Sequence, residues 1–122
     1  MNTPTQSAAA PAPTQAAIQQ LTYTDLQTIL SQPGPVQLVD VRTLAEYMHL
    51  GHIPQARLIP VDQLPARWQE MDKTRPVVVI CEHGVRSMDA CHYLQHVGFA
   101  QVSNVTEGMH LWAGARSYDP PS

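Results

Sequence analysis

The stretch that decides the fold is PVVVICEHGVRSMDACHYL, residues 76–94. It opens with four β-branched residues in succession, 77–80, a run typical of a strand buried on both faces of a parallel sheet. Its last part has the spacing of an amphipathic helix, and Ser87 is a favourable N-cap residue for that helix. The stretch therefore predicts a strand, a short loop and a helix, with Cys81 at the carboxyl end of the strand.

The loop after this strand is predicted to form an anion-binding site. A few residues between a strand end and a helix start must curl, which turns successive backbone N–H groups and the positive end of the helix dipole toward Cys81. With Arg86 closing the loop, these groups would stabilise a thiolate, so we predict that Cys81 is a nucleophile. The alternative is a cysteine that only packs in the core. We prefer the nucleophile because open α/β sheets bind ligands at the carboxyl ends of their strands.

The composition limits the class of protein. The 122 residues suffice for one domain without disulfides or metal, and the histidines lack the spacing of metal ligands. The net charge of −3 gives no basic footprint, so we expect no nucleic-acid partner. No stretch has membrane-spanning length, so we expect no membrane association. Cys91 lies inside the predicted helix, where we expect core packing rather than a bridge to Cys81. A reducing, cytoplasmic location follows.

The domain boundaries are predicted from composition. Residues 1–20 contain Ala, Pro, Thr and Gln without any charge, and we expect a disordered tail there because so little apolar surface cannot support a fold. The segment also lacks the basic and apolar parts of a signal peptide. Residues 21–116 are expected to form one folded domain, followed by a short tail at 117–122.

The rest of the chain alternates between strand and helix patterns. Thr43 and Glu46 have the spacing of a capping box, and the helix they begin should direct Leu44 and Tyr47 inward and end at Gly51. Strands are predicted over residues 36–41, 58–59 and 101–105, and helices after Thr24, Thr43 and Asp62. This alternation predicts an α/β fold with a mostly parallel central sheet and helices on both faces.

Several short motifs, in this order and spacing, resemble the single-domain rhodaneses, the thiosulfate sulfurtransferase family, over about residues 21–114. They are DVR at 40–42 with EY at 46–47, GHIPQA at 51–56, VVVICEHGVRS at 77–87, GF at 98–99 and EGMHLW at 107–112. Gln55 and Met109 stand where the family commonly has glycine, and both lie outside the catalytic loop. The resemblance implies a rhodanese-like three-layer sandwich.

The resemblance also implies a mechanism. In such enzymes the cysteine thiolate attacks the outer sulfur of thiosulfate, sulfite leaves, and the persulfide passes its sulfur to a thiophilic acceptor such as cyanide or a thiol. Here Cys81 would be the nucleophile, and Arg86 would bind the sulfonate of the donor. The other substrate-binding groups would be the loop amides of Glu82, His83, Gly84, Val85 and Ser87. No metal or cofactor is implied. The partners are a small-molecule sulfur donor and its acceptor, with a protein acceptor left open.

The remaining polar residues near the loop are predicted to support it. Asp40, Arg42 and Glu46 come at or soon after a strand end, where partly buried charges need partners, so we expect an ion-pair network beneath the loop. The carboxylate of Glu82 would repel an anion and should point away from the sulfur. His83 is open between contact with substrate and a solvated position.

Two other functions stay open. A thiolate among amides and an arginine also suits a phosphatase or an arsenate reductase. Four residues separate Cys81 from Arg86, whereas the related phosphatases and reductases that resemble this fold carry five, and the shorter loop favours sulfur over phosphate. A binding or sulfur-relay module for a partner protein is the third hypothesis.

Overall fold

The structure is a computed structural model that describes residues 17–32 and 34–121. Most of the predicted N-terminal tail, residues 1–16, lies outside the described residues. The five strands are β1 (Gln19–Leu21), β2 (Gln37–Asp40), β3 (Arg57–Leu58), β4 (Val77–Ile80) and β5 (Val102–Val105). The four α-helices are α1 (Tyr23–Leu30), α2 (Leu44–His49), α3 (Leu64–Arg67) and α4 (Val85–His96). The 3-10 turns are Val61–Gln63, Trp68–Glu70 and Met109–Leu111.

The strands form one sheet in the order β1-β5-β4-β2-β3, and all of its pairings are parallel. The central strand β4 is buried on both faces. Because successive residues of a strand point to opposite faces, its side chains belong to two hydrophobic clusters. One cluster includes Ala90 and Leu94 of α4, and the other includes Leu26 of α1. The predicted α/β sandwich is confirmed.

The sheet register brings the ends of three strands together. Asp40 of β2 pairs with Ile80 of β4, and Val79 of β4 pairs with Asn104 of β5. The carboxyl ends of parallel strands meet at one edge of the sheet, and Cys81 is therefore flanked by the ends of β2 and β5.

Helix α4 begins earlier than its sequence predicts. Its N-cap is Gly84, not Ser87, and Gly84 has a φ of 85°, which glycine adopts without steric cost. A Cβ atom at this position would lie 2.1 Å from the carbonyl oxygen of Thr106. The early start places Ser87 inside the first turn, where its side chain is fully buried.

Three smaller predictions about the helices are also wrong. Helix α1 begins after Thr22 rather than Thr24, because Thr22 and Asp25 form a reciprocal capping box. Asp62 lies within a 3-10 turn and caps nothing. Leu44 is 49% exposed, so of the two residues expected to point inward only Tyr47 is buried. The Thr43–Glu46 capping box itself is confirmed.

Strand pairing continues past both predicted domain boundaries. Gln19 and Gln20, predicted to belong to the tail, lie in β1 and pair with β5. Backbone pairing requires no apolar side chain, which is why composition missed this strand. Ser117, predicted to begin the C-terminal tail, forms an antiparallel bridge with His52 through hydrogen bonds of 2.8 and 2.7 Å. Among the described residues, no helix combines the length and apolar character needed to cross a membrane.

Candidate active site

The sulfur of Cys81 lies in a cradle at the start of α4. The side chain is buried, and its Sγ accepts hydrogen bonds from the amide of Gly84 at 3.0 Å and the amide of Ser87 at 3.3 Å. Amides at a helix N-terminus favour negative charge, so this position suits a thiolate. Gly84 and Ser87 thus contact the sulfur directly. The role of the Glu82, His83 and Val85 amides stays a prediction, because they would act only on a bound group.

A buried polar chain continues from the sulfur to the sheet. The Cys81 Sγ and the Ser87 Oγ are 3.2 Å apart, and the Ser87 hydroxyl donates to Oδ1 of Asn104. Asn104 in turn donates from Nδ2 to Oε1 of Gln20 at 2.9 Å. The Ser87 hydroxyl has one proton. While it donates that proton to Asn104, it can only accept a hydrogen bond from the Cys81 thiol. Once the thiol ionises, the same proton can turn toward the sulfur.

Asn104 is a site residue that sequence reasoning missed. Its position could have been noticed, because Asn104 lies near the carboxyl end of the short strand β5, between polar Ser103 and apolar Val105. Buried amides need hydrogen-bond partners, and in this fold those partners are Ser87 and Gln20.

Arg86 is held by Glu46 on α2. Nη1 of Arg86 lies 2.7 Å from Oε1 of Glu46, and Nη2 lies 2.8 Å from Oε2, which is a two-pronged ion pair. The hydrogen bond from Arg86 is the main reason that the pKa of Glu46 falls to about 2. The same bond raises the pKa of Arg86. The predicted network grouped Glu46 with Asp40 and Arg42. In the structure Glu46 pairs with Arg86 instead.

Arg42 lies beneath the loop and is completely buried. Nε and Nη2 bind the carboxylate of Asp40 at 2.8 to 3.1 Å, Nη1 binds Oε1 of Glu82 at 3.0 Å, and Nη2 also donates to the Gly51 carbonyl at 2.9 Å. Burial lowers the pKa of Arg42, but the hydrogen bonds and negative charges of Asp40 and Glu82 together outweigh it, and the pKa is raised overall. The side chain of Glu82 is directed to Arg42 and ties the first residue of the loop to the sheet edge.

The segment after β5 closes the loop from the other side. The amide of Met109 donates to the Cys81 carbonyl at 2.8 Å, and the amide of His110 donates to the Glu82 carbonyl at 3.1 Å. Gly108 makes this approach possible, because a Cβ there would lie 2.5 Å from the Glu82 oxygen. The exposed rings of His83 and His110 lie 4.6 Å apart at the rim.

The second cysteine belongs to the core. Cys91 is fully buried on α4, and its Sγ lies 3.6 Å from the Ser103 carbonyl oxygen. Desolvation by burial raises the pKa of Cys91 to about 12, which leaves the thiol protonated and unreactive at neutral pH. Within residues 17–32 and 34–121, no three His, Cys, Asp or Glu side chains come together as metal ligands would.

Comparison with known proteins agrees with this geometry. A protein of Allochromatium vinosum named "Sulfurtransferase" is 42% identical over 84 residues, which is 69% of this chain and 78% of that protein. A Bacillus subtilis protein named "Putative sulfur carrier protein YrkF" is 34% identical over 79 residues, covering 65% of this chain and 42% of that protein.

A solved structure, titled as a rhodanese-like domain protein from Staphylococcus aureus, superposes with a TM-score of 0.74 and 36% identity. It matches 86% of this chain and 100% of its own. The family described as "Rhodanese-like domain" matches residues 22–115, a span that contains β2 to β5, all four α-helices and the whole Cys81 loop. The chain therefore belongs to the rhodanese-like domain family.

Proposed function

We propose that this protein is a sulfurtransferase that carries sulfane sulfur as a persulfide on Cys81. The observation that carries the proposal is the placement of Sγ within hydrogen-bonding distance of two amides and one hydroxyl at the start of α4. The names of the two relatives, a sulfurtransferase and a putative sulfur carrier, support the same reaction class. Two free thiols suit a reducing compartment such as the cytoplasm.

The proposed reaction has two half-steps at one sulfur atom. The Cys81 thiolate attacks the outer sulfur of the donor, the S–S bond of the donor breaks, and the leaving group departs with the electron pair. An acceptor nucleophile, cyanide or a thiolate, then attacks the outer sulfur of the persulfide and releases the Cys81 thiolate. The amides of Gly84 and Ser87 stabilise the negative charge before the first half-step and after the second.

The test is to find the transferred sulfur. The purified protein is treated separately with thiosulfate and with cysteine persulfide, and the peptides containing Cys81 and Cys91 are examined by mass spectrometry. We expect one added sulfur on Cys81 from at least one donor, retained in Cys91→Ser and absent in Cys81→Ser. Failure of every donor to load Cys81 would overturn the proposal.

The same samples address the phosphatase alternative. A tetrahedral phosphate needs donors around three oxygens, and the four residues between Cys81 and Arg86 form a small loop. We expect negligible hydrolysis of an aryl phosphate. Release of phosphate that depends on Cys81, at a rate comparable to sulfur transfer, would favour the phosphatase.

A further inference from the structure

The guanidinium of Arg86 is already bound by the carboxylate of Glu46. Both of its oxygens are used by Arg86, and Oε1 also accepts hydrogen bonds from the amide of Thr43 at 3.0 Å and its hydroxyl at 3.2 Å. The capping box thus holds Glu46 in place. An anionic donor must compete with a carboxylate that is preorganised for Arg86 and ionised at any working pH.

The neighbouring arginine offers no free positive charge either. Arg42 is shared between Asp40 and Glu82, so that three carboxylates face two guanidinium groups around the loop. Even before Cys81 ionises, these five side chains carry a formal charge of −1. Such a site repels an inorganic dianion and disfavours its binding next to the sulfur.

The other cationic side chains of the chain are engaged elsewhere. Two arginines pair with Glu70, one lysine lies over the Trp68 ring, and two arginines bind backbone carbonyls. In the order of these contacts they are Arg57, Arg67, Lys73, Arg75 and Arg116. With Arg42 and Arg86, they make up all seven lysines and arginines of the sequence.

Beside the rings of His83 and His110, exposed apolar side chains lie on the elements that border the site. Val85 at the start of α4 is 70% exposed, Leu111 of the closing turn 61%, and Leu44 at the start of α2 49%. The Arg86–Glu46 pair joins the loop to α2, and the amide of His110 joins the turn to the loop. We call Leu44, Val85 and Leu111 the apolar rim. Exposed apolar side chains around a reactive group suit an organic molecule rather than a hydrated anion.

From these observations, and resting on the proposed sulfur transfer, we propose that the donor is an organic persulfide, R–S–SH. In this proposal Glu46 is a specificity-determining residue that keeps thiosulfate from Arg86, and the organic group R contacts the apolar rim. An organic persulfide has no sulfonate beside its sulfane sulfur, so it does not need Arg86.

The transfer balances without an oxidant. The Cys81 thiolate forms a bond to the outer sulfur of R–S–SH, the S–S bond of the donor breaks, and R–S⁻ leaves with the electron pair. The leaving thiolate takes up the proton of the transferred sulfhydryl, which gives the Cys81 persulfide anion and R–SH. A low-molecular-weight persulfide and a persulfide on a protein share this chemistry.

The test measures kcat/KM separately with thiosulfate and with cysteine persulfide. The wild type should prefer cysteine persulfide. Glu46→Gln removes the charge but keeps an acceptor for the Thr43 amide, since glutamine also completes a capping box. Freed from its competitor, Arg86 should raise kcat/KM for thiosulfate about tenfold, mainly through a lower KM, on the scale of one charge-assisted hydrogen bond. The value for cysteine persulfide should stay unchanged.

Two controls separate this role from a structural one. Glu70→Gln removes the same charge from a surface ion pair with Arg57 and Arg67. It should leave kcat/KM unchanged for both donors. In an Arg86→Gln background, Glu46→Gln should give no further gain with thiosulfate, because the group it acts through is gone. A general effect on folding would change both donors together.

A second arm distinguishes the two sources of persulfide. The double variant Val85→Ser/Leu111→Ser is assayed with cysteine persulfide and with a ten-residue peptide that carries one persulfide. A loss with the peptide alone supports a protein-borne donor, and equal small effects support a low-molecular-weight donor.

Two results would overturn the inference while leaving Cys81 sulfur transfer intact: a wild type that prefers thiosulfate, or a Glu46→Gln variant whose ratio between the two donors is unchanged. If neither donor loads Cys81, it is the proposed function itself that fails. The comparison of donors in the wild type does not depend on any variant folding.

Discussion

Arg42 is the side chain whose removal we expect to cost the most stability. It is completely buried, and its guanidinium satisfies the carboxylate of Asp40, the carboxylate of Glu82 and the carbonyl of Gly51. Arg42→Met keeps a side chain of similar length but removes every one of these donors. Asp40, itself fully buried, would then keep only the bond from the backbone amide of residue 42 at 3.1 Å.

The magnitude follows from the loss of one partner of a buried pair. Removing one side of such a pair costs about 3–5 kcal/mol, because the remaining charge stays buried without compensation. Domains of this size have a free energy of unfolding of about 5–15 kcal/mol, so the variant should lose about a fifth or more of its stability. At about 4 °C per kcal/mol, the midpoint of thermal unfolding should fall by about 12–20 °C.

The assay is urea unfolding at pH 7, followed by the fluorescence of Trp68 and Trp112, with m compared between variants. Asp40→Asn/Arg42→Met removes the orphaned charge and should recover about 1–2 kcal/mol relative to the single variant. Arg57→Met breaks an exposed pair with Glu70 and should leave the urea midpoint unchanged.

Either of two results would refute this reasoning. One is a single variant at Arg42 that unfolds within about 1 kcal/mol of the wild type. The other is a double variant less stable than the single one, since that would mean that the charge on Asp40 is not the source of the loss.

Three further outcomes are expected. Gly84→Ala should reduce sulfur transfer about a hundredfold, because its Cβ would displace one of the two amides at the sulfur, whereas Gly34→Ala meets open space and should be silent. Ser87→Ala should slow the alkylation of Cys81 by iodoacetamide at pH 7 by about threefold or more, and an unchanged rate would mean that the hydroxyl does not serve the thiolate. The pKa of Glu46 is about 2, below its usual value, so its stabilisation is present above about pH 4.5 and is lost as the pH falls through 2. The stability difference between wild type and Glu46→Gln should therefore shrink over that window in acid-unfolding curves.

The local pattern of the central stretch predicts the strand and the helix well, but it misplaces the start of the helix. Rules for helix starts look for a side chain that caps from the N-cap position, and Ser87 fits them. In the structure the capping acceptor is the sulfur of Cys81, three residues before Gly84. It accepts hydrogen bonds from the amides of Gly84 and Ser87. A cysteine at a strand end is no part of those rules, so the earlier start could not be predicted.

The partners within the site were predictable only in part. Asp40 and Arg42 are two residues apart, and a strand end with alternating charges indicates a local pair. Glu46 and Arg86 are separated by 40 residues, and their pairing depends on the position of α2 beside the loop. Spacing along the chain carries no information on that position. The prediction that Arg86 binds the sulfonate of a donor therefore took no account of Glu46.

Different amides of the loop would stabilise the two anions of the proposed reaction, the Cys81 thiolate and its persulfide. Sγ of Cys81 accepts hydrogen bonds from the amides of Gly84 and Ser87, so in the proposed reaction these two donors would stabilise the thiolate before sulfur arrives. In a persulfide the negative charge resides on the outer sulfur, about 2 Å further along the S–S bond. Donors different from those two are then needed, and the amides left in the loop are those of Glu82, His83, Val85 and Arg86. Because Arg42 anchors Glu82, the start of that set is held before the donor binds, and this part of the cradle for the second anion does not have to be ordered during transfer.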